Sequence, residues 1–436
     1  MPRRFRAPVV LPADPSCSVL RDGVVDIGDD GRIVFCGLAA DAPPWPDLLV
    51  TELPGILLPG LVNTHAHSPM TLLRGMGGEL PLLRWLREII WPAEARLRPS
   101  DVRTGMVLGS VEMLRHGVTT SAEMYFHSEQ MADAVLSTGA RVLLGTPIID
   151  LPGLDWREMI TATERWIDAD GLRWGPGERV ELTYTAHSAY MLPVEALRLT
   201  AESAAARGAL VQIHVAEAAD EDLAQRAEFG SVPKLLDRVG MLAGRVIAAH
   251  AIHLSDEDIA LFAERRVGVA HCPGSNAKLA SGMARLRELR AAAVPVGLGT
   301  DGPASNDDLD LWEEVQLAAM LSRLATGDST ALGAASALLL ATRDGAAALG
   351  RDDIGALEPG RWADLVHIDL DDPTFATGLD VPDDQLLSNL VWGAGSRRVR
   401  DVWVAGEQVI GEGESLRVDR AKAQAEVAEA AARIRG

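Results

Sequence analysis

The chain has 436 residues and a formal charge of −21, and 47% of its residues are hydrophobic. This length and apolar content predict one large domain with a smaller one attached. The negative charge argues against nucleic acids and anionic membranes as partners, and it leaves a neutral or zwitterionic small substrate open. Cys17, Cys36 and Cys272 are far apart and form no CxxC motif, so we expect neither a disulfide framework nor a thiolate zinc site.

The amino-terminal residues are basic, but prolines interrupt them and no apolar segment follows. We therefore expect no signal peptide. No stretch approaches about 18 uninterrupted apolar residues, so we expect no transmembrane helix. Together these absences predict a cytoplasmic protein.

Both ends of the chain have the pattern of short strands and turns. The turn Asp29–Gly31 lies between two apolar runs, which is typical of a β-hairpin. Residues 363–370 and 398–414 are also β-like. Neither end is large enough to bury a core alone. We therefore expect residues 1–56 and 355–436 to form one small β-sandwich domain, which carries an Ala-rich C-terminal helix.

The middle of the chain, residues 57–354, alternates short apolar runs with segments of helical periodicity. Segments 80–97, 101–117, 194–208 and 255–266 have the helical pattern, and the last starts with a plausible N-cap serine. The eight apolar runs are the one that begins at Leu57, followed by 117–123, 141–150, 180–187, 209–214, 245–250, 267–271 and 294–301.

Eight mostly apolar strands that alternate with helices predict an α/β fold, a parallel (β/α)8 TIM barrel whose strands are buried on both faces. A doubly wound open sheet is the alternative. Such a sheet usually has a glycine-rich phosphate loop after its first strand, and the sequence THAHSP at 64–69 is not one.

Histidines are concentrated where the predicted strands end, which is where a barrel carries its catalytic groups. The eighth run ends in Asp301. His65 and His67 are two residues apart, so on an extended segment their side chains point to the same side and can converge on a metal ion. The six strand-end histidines are His65, His67, His187, His214, His250 and His271.

This clustering predicts a metal site with nitrogen and oxygen ligands, suited to Zn²⁺ or Fe²⁺, with one position left for water. A two-metal site bridged by a modified lysine is the alternative. None of Lys234, Lys278 and Lys422 ends a predicted strand, which favours a single metal. The expected ligands are His65, His67, His214 and Asp301.

A water activated by a metal also needs a base and a proton carrier. Asp301 is placed to contact both metal and water and to accept the proton. Glu217, three residues after His214, can protonate a ring nitrogen or a leaving group, although the same position suits a solvated carboxylate at a helix start. His250 can hydrogen-bond the attacking oxygen, and we expect the nearby His253 to be structural.

Seven motifs between residues 55 and 370 resemble the amidohydrolase superfamily. More closely, they resemble its branch of methylthioadenosine/S-adenosylhomocysteine deaminases, which are related to triazine chlorohydrolases. The resemblance implies the barrel, the flanking β domain, a mononuclear metal that is usually zinc, and a homo-oligomer. It also implies the ligand set above, Glu217 as proton shuttle and His250 as the residue that orients water. The motifs are PGLVNTHAH, IWPAE, TAHSAY, IHVAE, AAHAIHLSDEDI, HCPGSNAKLASG and GLGTDGPASNDDLDLWEE.

The resemblance also implies substrate contacts. Glu94 matches a glutamate that hydrogen-bonds ribose hydroxyls, His187 matches a histidine near the ribose, and Trp85 matches a wall of the pocket. The alternative for Trp85 is ordinary core packing. The alternative for Glu94 is a solvated position on a helix face.

Four positions depart from the family pattern without removing a ligand, and they leave the purine and its 5′ substituent open. A homocysteine-type carboxylate would need an arginine, for which Arg157 and Arg74 are candidates by position alone. The departures are Glu123 for aspartate, Ala189 for proline, Ala218 for threonine and Cys272 for asparagine.

The function that these features predict is a metal-dependent hydrolytic deaminase, an enzyme that acts on C–N bonds of cyclic amidines. Its expected substrate is adenosine, 5′-deoxyadenosine, methylthioadenosine or S-adenosylhomocysteine, and its products are the inosine analogue and ammonia. One alternative is hydrolysis of another ring substituent, as in a triazine chlorohydrolase or a guanine or pterin deaminase. A catalytically inactive scaffold is a further alternative, although no ligand is lost.

Overall fold

The computed structural model describes residues 2–45, 48–77, 79–219 and 223–435. Its strands in chain order are β1 Arg3–Val10, β2 Leu20–Ile27, β3 Ile33–Leu38, β4 Leu49–Glu52, β5 Ile56–Pro59, β6 Leu61–Ala66, β7 Val118–Met124, β8 Arg141–Gly145, β9 Pro147–Ile148, β10 Arg173–Trp174, β11 Val180–Leu182, β12 Tyr184–Ser188, β13 Leu210–Val215, β14 Arg245–His250, β15 Gly268–His271, β16 Val296–Leu298, β17 Leu365–Ile368, β18 Val399–Val404, β19 Glu407–Gly411 and β20 Glu414–Ser415.

The α-helices are α1 Leu82–Trp85, α2 Trp91–Glu94, α3 Pro99–Arg115, α4 Ser128–Thr138, α5 Trp156–Asp170, α6 Val194–Arg207, α7 Leu223–Phe229, α8 Val232–Arg238, α9 Asp256–Arg265, α10 Pro273–Lys278, α11 Leu286–Ala291, α12 Leu311–Thr326, α13 Ala334–Leu340, α14 Arg343–Ala348, α15 Asp383–Ser388 and α16 Arg420–Arg435. No helix among the described residues is long and apolar enough to cross a membrane.

The two ends of the chain share one sheet, in the order β20-β19-β18-β17-β5-β1-β2-β3 with β4 beside β1. The predicted hairpin is present as the antiparallel pair β2–β3. The rings of Phe5 on β1 and Trp403 on β18 are 4.9 Å apart. Strands three places apart in a flat sheet would be separated by about 14 Å, so the sheet curls over its own core. The predicted boundaries 1–56 and 355–436 stay a prediction.

The first predicted barrel strand is divided into two strands. β5 pairs with β1 and β17 in the terminal sheet, whereas β6 pairs with β7 in the barrel. Gly60 lies between them, and a Cβ there would be 2.0 Å from Thr119 Oγ1. The chain therefore passes from one sheet to the other at a point that has room only for glycine.

The eight predicted strand regions form a closed parallel barrel. β6, β7, β8 and β11 pair in one sheet, and β9 with β12 to β16 pair in another. β8 and β9 are two parts of the third strand, and β11 and β12 are two parts of the fourth. The barrel closes where Ala66 bridges Asp301 and where Thr64 Oγ1 donates to Leu298 O at 2.8 Å. The predicted (β/α)8 barrel is confirmed, and the open doubly wound sheet is excluded.

Burial in the barrel follows the sequence pattern. Every residue of β6, β7, β13 and β15 is buried, as expected for strands covered on both faces. Helix α9 begins with the expected cap: Ser255 accepts from the Asp258 amide, and the Asp258 side chain accepts from the Ser255 amide. The predicted helix at 80–97 is α1, a π-helical turn at Leu86–Ile90, and α2.

An ion network lies at the amino-terminal end of the barrel. Glu181 on β11 is fully buried and accepts from Arg351 Nη1 at 2.8 Å, Arg173 Nε at 2.9 Å and Arg245 Nη1 at 2.9 Å. Groups at this end of a barrel stabilise the fold, whereas groups at the carboxyl ends of the strands carry the chemistry.

Candidate metal centre and active site

Four strand-end imidazoles surround one point at the carboxyl end of the barrel. The ring of His65 lies 4.7 Å from His67, 4.8 Å from His214 and 5.5 Å from His250, measured between ring centroids. His65, His214 and His250 are buried, as is Asp301. The side chains come from β6, β13 and β14 and from the residues after β16, so barrel closure is what brings them together.

Asp301 is held with one carboxylate oxygen facing the imidazoles. Oδ1 lies 3.2 Å from His67 Nε2 and 3.5 Å from His65 Nε2, while Oδ2 accepts from Ser275 Oγ at 2.6 Å and Ser305 Oγ at 2.7 Å. The backbone of Asp301 is left-handed, with φ +59°, a conformation that non-glycine residues adopt infrequently. Burial raises the pKa of this carboxyl, but the histidines hold it well below its usual range.

The imidazoles are oriented through their other nitrogen. His67 Nδ1 donates to Met124 O at 2.6 Å, and His214 Nδ1 donates to His187 O at 2.7 Å. A backbone carbonyl on Nδ1 fixes the tautomer that leaves Nε2 with a free lone pair, which is how metal-bound histidines are usually held.

The donor atoms of the cluster suit a cation at its centre. Burial lowers the pKa of His65 to about 4, and its buried Nε2 has no hydrogen-bond partner within the described part of the chain. Burial also lowers the pKa of His67, but the adjacent Asp301 more than offsets it and raises the pKa to about 9. A positive charge is therefore favoured beside Asp301. Nitrogen and carboxylate donors of this kind fit a divalent metal ion.

The ligand atoms fall into two overlapping sets. Those of His65, His67 and Asp301 lie within 4.8 Å of one another, and so do those of His65, His214 and His250. The structure thus brings all four predicted ligands to one place, and His65 belongs to both sets.

Glu217 and His250 face each other beside this cluster. Glu217 Oε1 lies 3.8 Å from His250 Nε2, and both side chains are buried. Burial raises the pKa of Glu217, although His250 opposes the rise. Glu217 is therefore not the solvated carboxylate that the sequence left open as an alternative.

The cluster opens into a cleft, and the predicted substrate residues Glu94, His187 and Trp85 all line it. Burial raises the pKa of Glu94 to about 7, although the adjacent Tyr125 hydroxyl lowers it. Glu94 is half-buried, and its carboxyl lines the cleft. Trp85 is itself buried, and its Nε1 donates to Met76 O at 2.8 Å.

Sequence reasoning missed the side chains that support the site. Ser275 and Ser305 hold Asp301, and Asn276 Oδ1 lies 2.9 Å from His250 Nδ1. Glu123 accepts from the Ser68 amide at 2.9 Å and so ties β7 to the segment after His67. The serines and Asn276 stand inside motifs that the sequence singled out, but their spacing carries no signal of what they contact.

Two histidines considered in the sequence, His253 and His271, are neither in the His/Asp cluster nor among the residues that line the cleft. His271 lines a separate pocket with Asn276. His253 Nε2 donates to Ser281 O at 2.8 Å, which agrees with the structural role expected for it. A histidine at a strand end is therefore not by itself a member of the site, because the direction of its side chain also matters.

A closed parallel barrel that gathers imidazoles and a carboxylate at its strand ends defines a metal-dependent hydrolase. The sequence model of the amidohydrolase family matches residues 56–409, and the chain belongs to that family.

Nucleoside deaminases are among the proteins that this chain is similar to. A 5-methylthioadenosine/S-adenosylhomocysteine deaminase of Pelotomaculum thermopropionicum is 39% identical over 430 residues, which cover 98% of this chain and 97% of that protein. A 5′-deoxyadenosine deaminase of Methanosarcina mazei is 38% identical over 429 residues, which cover 97% of this chain and 96% of that protein. The crystal structure of an adenosine deaminase from Xanthomonas campestris with bound zinc has a TM-score of 0.92 at 37% identity, with 99% of this chain and 98% of that one covered.

Proposed function

We propose that this protein is a hydrolytic deaminase that replaces the 6-amino group of an adenosine-type nucleoside with oxygen and releases ammonia. The observation that carries the proposal is one cleft at the His/Asp cluster that is also lined by Glu217, His250 and the half-buried carboxyl of Glu94. A hydrolytic group and a group suited to ribose hydroxyls therefore face the same substrate. The activities for which the similar proteins are named support this assignment.

We further propose that the metal is zinc, as in the similar adenosine deaminase structure. When bound, the ion supplies a Lewis acid that activates water for attack near neutral pH. The side chains that would hold it are His65, His67, His214 and Asp301.

The remaining chemistry is proton transfer by buried side chains. Asp301 Oδ1 faces the cluster and accepts the proton of the attacking water. Glu217, whose pKa is raised by burial, carries a proton to the ring nitrogen next to the reacting carbon. His250 Nε2, turned toward Glu217, accepts a hydrogen bond from the attacking water and orients it.

We assign substrate binding to three other residues that line the same cleft. Glu94 accepts hydrogen bonds from ribose hydroxyls, His187 contacts the ribose, and Trp85 forms part of the wall. A homo-oligomeric state and a cytoplasmic location stay predictions of the sequence.

The test is ammonia release by the full chain loaded with zinc, measured with adenosine, 5′-deoxyadenosine, methylthioadenosine and S-adenosylhomocysteine. Turnover of at least one nucleoside with formation of its inosine analogue is expected. Inactivity on all four, with one equivalent of metal bound, rejects the proposal. Activity only on guanine, a pterin or a chlorinated triazine supports the alternative that the sequence left open.

A further inference from the structure

The walls of the cleft are apolar away from the reacting groups. Among the described lining residues there is no lysine or arginine, whereas Glu94, Glu217 and Asp301 are carboxyl groups. The apolar walls include Phe126, Ile149, Leu151 and Leu279.

The two arginines that could have served a substrate carboxylate are engaged elsewhere. Arg74 Nη1 donates to Asp307 O at 2.6 Å and to Glu112 at 3.1 Å. Arg157 donates to Glu195 at 2.8 Å and its guanidinium lies 3.9 Å from the ring centroid of Trp156. Neither arginine lines the cleft.

We infer that this cleft selects adenosine-type nucleosides whose 5′ substituent is uncharged, and that it discriminates against one ending in an amino-acid carboxylate. This inference rests on the proposed function. A carboxylate at the end of the 5′ substituent would lose its water against these apolar walls and would meet no lysine or arginine among the described lining residues. A methyl or methylthio group at the same position gains from apolar burial. Methylthioadenosine and 5′-deoxyadenosine are then substrates, and S-adenosylhomocysteine is a poor one.

The experiment compares kcat/KM for methylthioadenosine, S-adenosylhomocysteine and 5′-butylthioadenosine, with the zinc-loaded full chain. The butyl compound has a long 5′ chain without charge, so it separates length from charge. We expect S-adenosylhomocysteine to be at least about tenfold poorer than methylthioadenosine, and the butyl compound to stay within about threefold.

Comparable use of S-adenosylhomocysteine and methylthioadenosine overturns the inference and leaves the proposed function intact. An equal loss with the butyl compound also overturns it, because length would then be the cause. Inactivity with every nucleoside defeats the proposed function and this inference together.

Introducing a cation on the cleft wall is the converse test of the inference. Leu151 lines the cleft and is partly exposed, on the loop after β9. Leu151→Arg is expected to raise the ratio of kcat/KM for S-adenosylhomocysteine over methylthioadenosine by about fivefold or more. Leu151→Gln, which is long and polar without charge, is the matched control and should leave the ratio unchanged. An equal ratio in both variants contradicts the inference.

Discussion

Asn276 Oδ1 accepts a hydrogen bond from His250 Nδ1 at 2.9 Å. This contact fixes the tautomer of His250, so that Nε2 carries the lone pair and faces Glu217 Oε1 at 3.8 Å. Asn276 is buried and comes from α10, whereas His250 ends β14. The imidazole that we propose to orient the attacking water is therefore itself positioned from the next strand–helix unit.

Asn276→Ala tests this positioning. We expect kcat on the preferred nucleoside to fall by about tenfold or more, while KM changes by less than about threefold. Asn276→Asp keeps an acceptor and is the control. Its added negative charge favours a protonated His250, so the acidic limb of its pH–rate profile should move to higher pH. A wild-type kcat in Asn276→Ala would contradict the role.

Asp301→Asn tests the metal centre. The amide removes the negative charge that faces His65 and His67, so metal content should fall below one equivalent and kcat by at least about 10³-fold. Metal analysis and steady-state kinetics check both. Asp307→Asn, at an exposed carboxylate six residues on, is the control. Chelation of the wild type should abolish activity, and zinc should restore it.

Glu94→Gln tests ribose recognition. The carboxylate is the stronger acceptor, so kcat/KM for adenosine should fall by about 10- to 100-fold. The value for 2′,3′-dideoxyadenosine should change far less, because that compound lacks the two hydroxyls. Glu88→Gln, an exposed position that pairs with Arg84, controls for disturbance of the helical segment. Equal losses with both nucleosides would show that Glu94 does not act through the ribose.

Glu181→Gln tests the ion network at the other end of the barrel. It removes one of the two charged partners of the buried Arg351 and leaves Asp353 as the other, so the free energy of unfolding should fall by about 2 kcal/mol. Urea unfolding measures the loss, and activity at low temperature should be retained. Glu202→Gln, at an exposed pair with Arg198, should cost less than about 0.5 kcal/mol. Similar losses in the two variants would contradict the importance assigned to burial.

The pH dependence of stability should include a contribution from Asp308. Burial raises the pKa of this carboxyl to about 7, and the Asp310 amide opposes the rise. The folded chain therefore binds the proton more tightly than the unfolded chain does, and stability falls as pH rises from about 4 to 7. The free energy of unfolding is measured by urea at pH 5 and at pH 7.5. Asp308→Asn should change the difference between the two values by about 1 kcal/mol, after allowance for the partial exposure of the carboxyl. An unchanged difference would exclude this contribution.

The barrel and its reactive end could be predicted from the sequence because the signals are local. Each apolar run marks a strand, and a histidine or aspartate at the end of a run needs no knowledge of its neighbours. Parallel closure then places all those ends at one rim. His65, His67, His214, His250 and Asp301 were identified in this way, and the structure brings them together around one point.

The sequence by itself determined the repeating strand–helix pattern and the chemical groups at the strand ends, since both follow from periodicity along the chain. Only the tertiary structure decided which hydroxyls hold Asp301, that Asn276 holds His250, and that Arg74 and Arg157 are engaged away from the cleft. Those contacts join elements far apart in the chain and depend on side-chain direction. Spacing in the sequence carries no information about these contacts or about side-chain direction, because packing between neighbouring elements decides both.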